Sequence, residues 1–235
     1  MSESPGRSEP AIPDPDPATQ PDAEGRTLLV KRLGVCYYLD TWQSMRAFTD
    51  SRVATSQDEL WLLEHPPVFT LGQAGRREHI LDAGNIPVIQ TDRGGQVTYH
   101  GPGQLVAYVL LDLGRAHLGI KALVNLLEAA VIDLLGELGI DAEARPGAPG
   151  VYVQGAKIAS LGLRVRRHCS YHGLALNLDM DLEPFSRINP CGYPGLTVTH
   201  LADFGLDMTM DKVQLRLAYA LSRRLDRICL LENYD

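Results

Sequence analysis

Arg93-Gly94-Gly95-Gln96-Val97-Thr98-Tyr99-His100-Gly101-Pro102-Gly103-Gln104 lies between two apolar runs, residues 86–89 and 105–113. Glycine permits close backbone approach and positive φ. Arg, Gln, Thr, Tyr and His are the sparse polar groups that line a ligand pocket. Two readings stand side by side: a pocket wall, or a tight hairpin whose polar residues satisfy their own backbone. No helix follows these glycines and no Gly-Lys-Ser/Thr is present, so the run is neither a dinucleotide fingerprint nor a phosphate loop. The run therefore sits among strands, and the fold is read outward from there.

Strand patterns fall at 27–33, 59–64, 67–71, 86–90, 95–99, 104–112, 150–153, 157–165 and 171–178. Helical periodicity marks 41–54, 119–138 and 211–229. In the middle segment Ile120, Leu123, Val124, Leu127, Val131, Leu134, Leu135 and Leu138 recur at spacings of three and four, and Gly139 supplies a stop. The last segment repeats the stripe with Val213, Leu217, Leu221, Leu225 and Ile228. Strands and helices alternate without a βαβ rhythm. This predicts an α+β fold, a mixed β-sheet flanked by helices, with 58–112 and 150–178 in one sheet.

The 235 residues carry a net charge of −7, and most of that charge is local. Residues 1–25 hold six acids, one base and six of the fifteen prolines, leaving 23 acids against 21 bases in the body. So proline-rich and acidic a stretch, with almost no large apolar residue, is expected to be a disordered tail, with 26–235 as a single domain. A near-neutral body gives no reason to expect a nucleic-acid partner. No apolar run approaches the roughly 20 residues of a bilayer span, so a cytoplasmic protein with no membrane partner is expected. Cys36, Cys169, Cys191 and Cys229 show neither metal-ligand spacing nor a disulfide framework.

Two residues break the pattern around them. Cys191 lies in Asn189-Pro190-Cys191-Gly192-Tyr193-Pro194-Gly195, a rigid irregular loop. Structural cysteines instead sit in periodic apolar elements, as Cys36 and Cys229 do. Lys157 shares the expected strand face of Ala159, Leu161, Leu163 and Val165. It is either a strand-end residue reaching water or a partly buried amine able to share a proton with a thiol. His168-Cys169-Ser170-Tyr171-His172 invites a metal reading, but strand alternation turns Cys169 away from both histidines. It is read as a strand entry with one face on a pocket, and no metal is expected.

Five segments in order resemble the lipoyl (octanoyl) transferase family, the octanoyl-carrier-protein:protein N-octanoyltransferases. They are residues 93–104, Pro-Gly-Val-Tyr-Val at 149–153, Lys-Ile-x-x-Leu-Gly at 157–162, His-Gly-Leu-Ala-Leu-Asn at 172–177 and Asn-Pro-Cys-Gly at 189–192. The proline-rich tail departs from the family pattern without touching a motif. The resemblance implies a fold like that of the biotin and lipoate protein ligases, with a central acyl pocket. It implies Cys191 as the acyl-thioester nucleophile and Lys157 as the group that activates it and moves its proton. The substrate-binding residues it implies are Arg93, Gly94, Gly95, Gln96, Val97, Thr98, Tyr99, His100, Ser160, Leu161, Gly162, Gly173, Leu174 and Ala175.

Octanoyl-acyl carrier protein is the implied donor. The implied acceptors are lipoyl domains of 2-oxoacid dehydrogenase complexes and the glycine cleavage H protein. Thioester to amide runs downhill, so no cofactor is needed. Backbone N–H groups around Gly94 and Gly95, or near Cys191, are candidates for the oxyanion. Leu161, Leu163 and Leu174 could line the acyl tunnel or serve as core. Arg76, Arg77, Arg164, Arg166 and Arg167 are candidates for docking acidic partner domains, beside the reading of a solvated basic face. An ATP-dependent lipoate or biotin ligase, which needs no thiol, and a non-catalytic acyl-binding module are the competing readings.

Overall fold

The computed structural model describes residues 26–206 and 208–232. The expected tail, residues 1–25, lies outside the described residues. In chain order the elements are β1 (Thr27–Val35), α1 (Tyr38–Ser51), β2 (Asp58–Glu64), β3 (Val68–Leu71), β4 (Val88–Gln90), β5 (Val97–His100), β6 (Gln104–Leu110), α2 (Ile120–Glu137), β7 (Glu143–Ala144), β8 (Gly150–Val153), β9 (Ala156–Arg166), β10 (Cys169–Asn177), α3 (Met210–Leu225) and β11 (Ile228–Leu231). Short 3-10 turns punctuate the loops, among them Pro190–Gly192.

The main sheet has the order β11-β1-β2-β6-β10-β9-β8-β7. β1 runs parallel to β11 and β2, and the remaining pairs are antiparallel. The sheet is therefore mixed, as expected. The expectation of one sheet across 58–112 fails. β3, β4 and β5 form a separate three-stranded sheet, order β4-β3-β5. The physical cause lies in the turns: His65-Pro66-Pro67 after β2 and Gly101-Pro102-Gly103 before β6 redirect the chain, since proline cannot donate to a ladder.

Period-two alternation sends Leu60, Leu62, Leu105, Ala107 and Val109 to one face of the main sheet, against α2 and α3. It sends Trp61, Leu63, Val106, Tyr108 and Leu110 to the other, where Met45 of α1 packs. Along α2 the expected stripe buries Leu123, Leu127, Val131, Leu134 and Leu135. Each fully buried leucine of this kind contributes about 1.5–3 kcal/mol. Gly139, at φ 79°, ends α2 as expected. Its N–H reaches Gly136 O at 3.0 Å while Ile140 N–H reaches Leu135 O at 2.9 Å, the paired bonds of a Schellman stop.

The last helical segment is shorter than its periodicity predicts. α3 ends at Leu225, Asp226 takes a left-handed φ of 53°, and 228–231 becomes the edge strand beside β1. Ile228, expected in the buried stripe, is exposed. A contiguous apolar run gains more as a sheet edge than a half-turn of helix would. β9 and β10 are joined by Arg167 and His168, both at positive φ, the geometry of a two-residue type I′ hairpin turn. His168 thus lies in the turn rather than on the strand with His172.

Candidate active site

Lys157 is the second residue of β9, at a place where the pairing with β8 slips by one residue between Ala159 and Lys157. The inserted residue breaks the alternation that put Lys157 on the face of Ala159, so that expectation does not hold; Ile158 and Ala159 both enter the core instead. The amine is buried, with 2% of the residue exposed. Its Nζ donates to Pro149 O at 2.9 Å and stands 5.1 Å from the Tyr152 ring centroid. Gly150 makes the space: at φ 141°, a Cβ there would lie 2.8 Å from Lys157 Cε and 3.0 Å from Nζ.

The loop carrying Cys191 is tied to this lysine through the backbone. Lys157 N–H donates to Thr197 O at 2.9 Å, and Thr199 N–H donates to Lys157 O at 3.0 Å. Six residues before Thr197, the 3-10 turn Pro190–Gly192 places the Cys191 backbone against β5. Asn189 N–H anchors the turn on His79 O at 2.8 Å. Gly192 lies against Gln96, whose Cγ is 3.2 Å from where a Cβ would sit.

These elements surround a cavity of 370 Å³, inside the usual range for small-ligand sites. Lys157 and Tyr193 are on its wall. So are residues 93–98, His100, 160–162 and 173–175 of the expected substrate segments. Tyr99 is the exception. Its ring packs between Phe69 and Phe185, at centroid distances of 5.6 and 5.5 Å, in the core of the small sheet. Leu161, Leu163 and Leu174 line the cavity and also touch the main core, so both readings of these leucines are met at once.

Sequence reasoning missed Tyr38, Val106, Tyr108, Ile120 and Val124 as wall residues, while His172 lies on the wall as expected of a strand with one face on a pocket. Ile120 and Val124 belong to the apolar stripe of α2, and periodicity gives the same signal for a core contact and a cavity contact. A usable sign for Ile120 was its place in the first helical turn, where the stripe runs past the packed sheet.

The 93–104 run is not a hairpin closing on itself. Gly94 N–H donates to Leu163 O at 2.9 Å, binding the run to β9. A Cβ at Gly94 would lie 3.1 Å from that same oxygen, so glycine permits the approach. Arg93 braces the bend, donating to Thr70 O, Gly94 O and Gln96 O at 2.6, 2.8 and 2.8 Å. His100 Nδ1 meets Gln104 Oε1 at 2.7 Å; Gln104 Nε2 donates to Asn177 Oδ1, and Asn177 Nδ2 to Thr199 O, both at 2.9 Å. This chain links the run to the segment that clips Lys157.

Gly94, Gly192 and Tyr193 have already donated their backbone N–H groups, to Leu163 O, Asn189 O and Pro190 O. Gly94 is therefore withdrawn as an oxyanion donor. Cys36, Cys169 and Cys229 are free thiols, and burial pushes each of them up, holding them as thiols. Among the described residues no group of His, Cys, Asp or Glu is placed to hold a metal ion. Of the arginines considered for docking, Arg76 pairs with Glu78 at 3.3 Å and Arg166 with Asp50 at 3.1 Å, both on the surface. No described helix is long and apolar enough to cross a membrane.

A cluster of Tyr38, His65, His100, Tyr108 and His172 closes one side of the cavity, with ring centroids 5.2–6.1 Å apart. Burial pushes His65 down to about 4 and His100 down to about 3, with repulsion between the two adding to the second. His172, also lowered by burial, donates its Nε2–H to Asp92 Oδ1 at 2.9 Å. An unfolded histidine titrates near 6.5, so as pH falls the unfolded chain takes up protons first. The stabilising contribution is complete above about pH 6.5 and is lost as pH falls toward the folded values near 4 and 3. The melting temperature should therefore drop between pH 6.5 and 4.5, and His100→Gln should flatten that slope. An equal slope in His100→Gln would assign the effect to other groups.

The lipoyl protein ligase A/B catalytic domain matches residues 37–222. An octanoyltransferase from Thiobacillus denitrificans is 58% identical over 211 residues, covering 90% of this chain and 95% of that protein. One from Alkalilimnicola ehrlichii is 62% identical over 189 residues, covering 80% of this chain and 88% of that protein. In three dimensions the chain resembles the bi-partite lipoate protein ligase of Thermoplasma acidophilum, with a TM-score of 0.68 at 21% identity, covering 89% of this chain and 87% of that one. With sequence and architecture in agreement, the chain belongs to the lipoyl protein ligase A/B catalytic-domain family, on its octanoyltransferase branch, as an acyltransferase of protein lipoylation.

Proposed function

We propose that residues 26–235 form one catalytic domain that carries the octanoyl group as a thioester on Cys191. The observation that carries this reading is a buried lysine on the wall of a largely apolar cavity, clipped by its own backbone to the loop that bears Cys191. In the first half, Lys157 takes the thiol proton and the thiolate attacks the octanoyl thioester of an acyl carrier protein. The Cys191–acyl bond forms, the carrier's C–S bond breaks, and the carrier thiolate leaves with the proton. In the second half, the ε-amine of a lipoyl-domain lysine attacks. The amide C–N bond forms, the Cys191 thiolate leaves, and the amine proton passes to Lys157.

Gly95 N–H remains a candidate donor to the oxyanion in each half. Acceptors are the lipoyl domains of 2-oxoacid dehydrogenase complexes and the glycine cleavage H protein, and the free thiols of Cys36, Cys169 and Cys229 fit a cytoplasmic setting. No nucleotide is consumed, because a thioester already stores the energy of the amide.

Incubation with octanoyl-acyl carrier protein, without ATP, is expected to add one hydroxylamine-labile octanoyl group, seen by intact mass. Peptide mapping should place it on Cys191, and a lipoyl domain should then remove it. An adduct that persists in Cys191→Ala would sink the covalent mechanism. An absolute requirement for ATP would instead favour a ligase.

A further inference from the structure

Glu128 is a carboxylate in the buried stripe of a leucine-rich helix, with 8% of the residue exposed. Burying a carboxylate is unfavourable unless it is well partnered. Its Oε1 accepts the N–H of Gly150 at 2.9 Å. The carbonyl of that same peptide unit is Pro149 O, which accepts from Lys157 Nζ at 2.9 Å. The peptide is trans, so its N–H and C=O point in opposite directions. One planar group thus bridges Glu128 and Lys157. Ile120 and Val124, two turns and one turn earlier on α2, line the cavity, and Glu128 continues that row to the lysine end of the site.

We infer that Glu128 is a positioning residue for Lys157, acting through the Pro149–Gly150 peptide. The carboxylate fixes the plane of that peptide and, by holding its N–H, makes the Pro149 oxygen a stronger acceptor. The oxygen then fixes Lys157 Nζ. Proline at 149 and glycine at 150 suit the relay. Proline stiffens the chain on one side, and glycine leaves room for the lysine on the other. Glu128 touches no substrate. Its effect passes through Lys157 alone, so this inference rests on the role proposed above for Lys157 and Cys191.

The test is a double-mutant cycle on the single-turnover rate of octanoyl transfer to Cys191 from octanoyl-acyl carrier protein. Glu128→Leu in the native background is expected to slow transfer about tenfold, with the half-saturating donor concentration unchanged. In the Lys157→Ala background the same substitution is expected to change the slow residual rate by less than about twofold. Equal losses in both backgrounds would mean that Glu128 serves only the fold, and would overturn the inference. A slow Lys157→Ala with an unaffected Glu128→Leu overturns the positioning role alone. A normal rate in Lys157→Ala overturns both readings. Should Glu128→Leu not fold, Glu128→Gln gives the same comparison with a smaller expected loss, about threefold.

Discussion

Lys157→Ala is expected to slow octanoyl transfer to Cys191 by about a thousandfold, the usual scale for loss of a positioned proton-transfer group. A free thiol near pKa 8.5 is only a few per cent thiolate at neutral pH, so the reaction needs a neighbour that takes the proton. The amine is buried, held by Pro149 O and framed by the Tyr152 ring. Replacing it with alanine leaves the backbone bonds to Thr197 and Thr199 in place, so the fold should survive. Lys157→Arg is expected to fail nearly as badly. The space beside Gly150 is already so close that a single Cβ there would come within 3.0 Å of Nζ, and a guanidinium is both larger and bound to its proton. Single-turnover mass spectrometry checks both variants. Transfer within threefold of the native rate in Lys157→Ala would remove the lysine from the chemistry.

The second large effect concerns stability. Asp58, at the start of β2, is buried and pairs with Arg52 and Arg115 at 2.5 and 2.7 Å, with Arg227 Nε at 3.9 Å. Its Oδ1 also accepts the backbone N–H of Asp112 at 2.9 Å. Arg52 and Arg115 in turn reach Leu110 O and Ser56 O. One carboxylate therefore joins the start of β2, the end of β6 and the turn between α3 and β11. Asp58→Ala leaves guanidinium groups facing one another in a buried place and is expected to cost about 3–5 kcal/mol. For a protein of this size that corresponds to a drop of about 10–15 °C in melting temperature. Calorimetry or a denaturant titration measures it. A loss below 1 kcal/mol would show that water replaces the carboxylate at little cost.

Much of the candidate site was legible because its residues conflict with local structure. Cys191 between two prolines and two glycines, and Lys157 in an apolar strand, have no reason of their own to be there. The structure ties the backbones of these two segments together through Thr197 and Thr199. Tyr99 shows the opposite limit. It stands in the middle of a polar run, yet its ring completes an aromatic core with Phe69 and Phe185. Glu128 was invisible for a related reason. A single glutamate in a leucine stripe has no sequence signal, because its partner is a backbone N–H contributed 22 residues later.

The sequence by itself determined the acyltransferase family and most of the element types. Periodicity reports which face of each helix and strand is apolar, and side-chain type reports what a residue can do to a proton or an acyl group. Tertiary structure alone decided which sheet β3 to β5 would join, where α3 stops, and that the 93–104 run would be clamped onto β9. It also decided that Lys157 would be a buried amine rather than a strand end in water. These outcomes depend on non-local pairing, a register slip and close backbone approaches. They are set by the energy of assembled elements and leave no period in the chain.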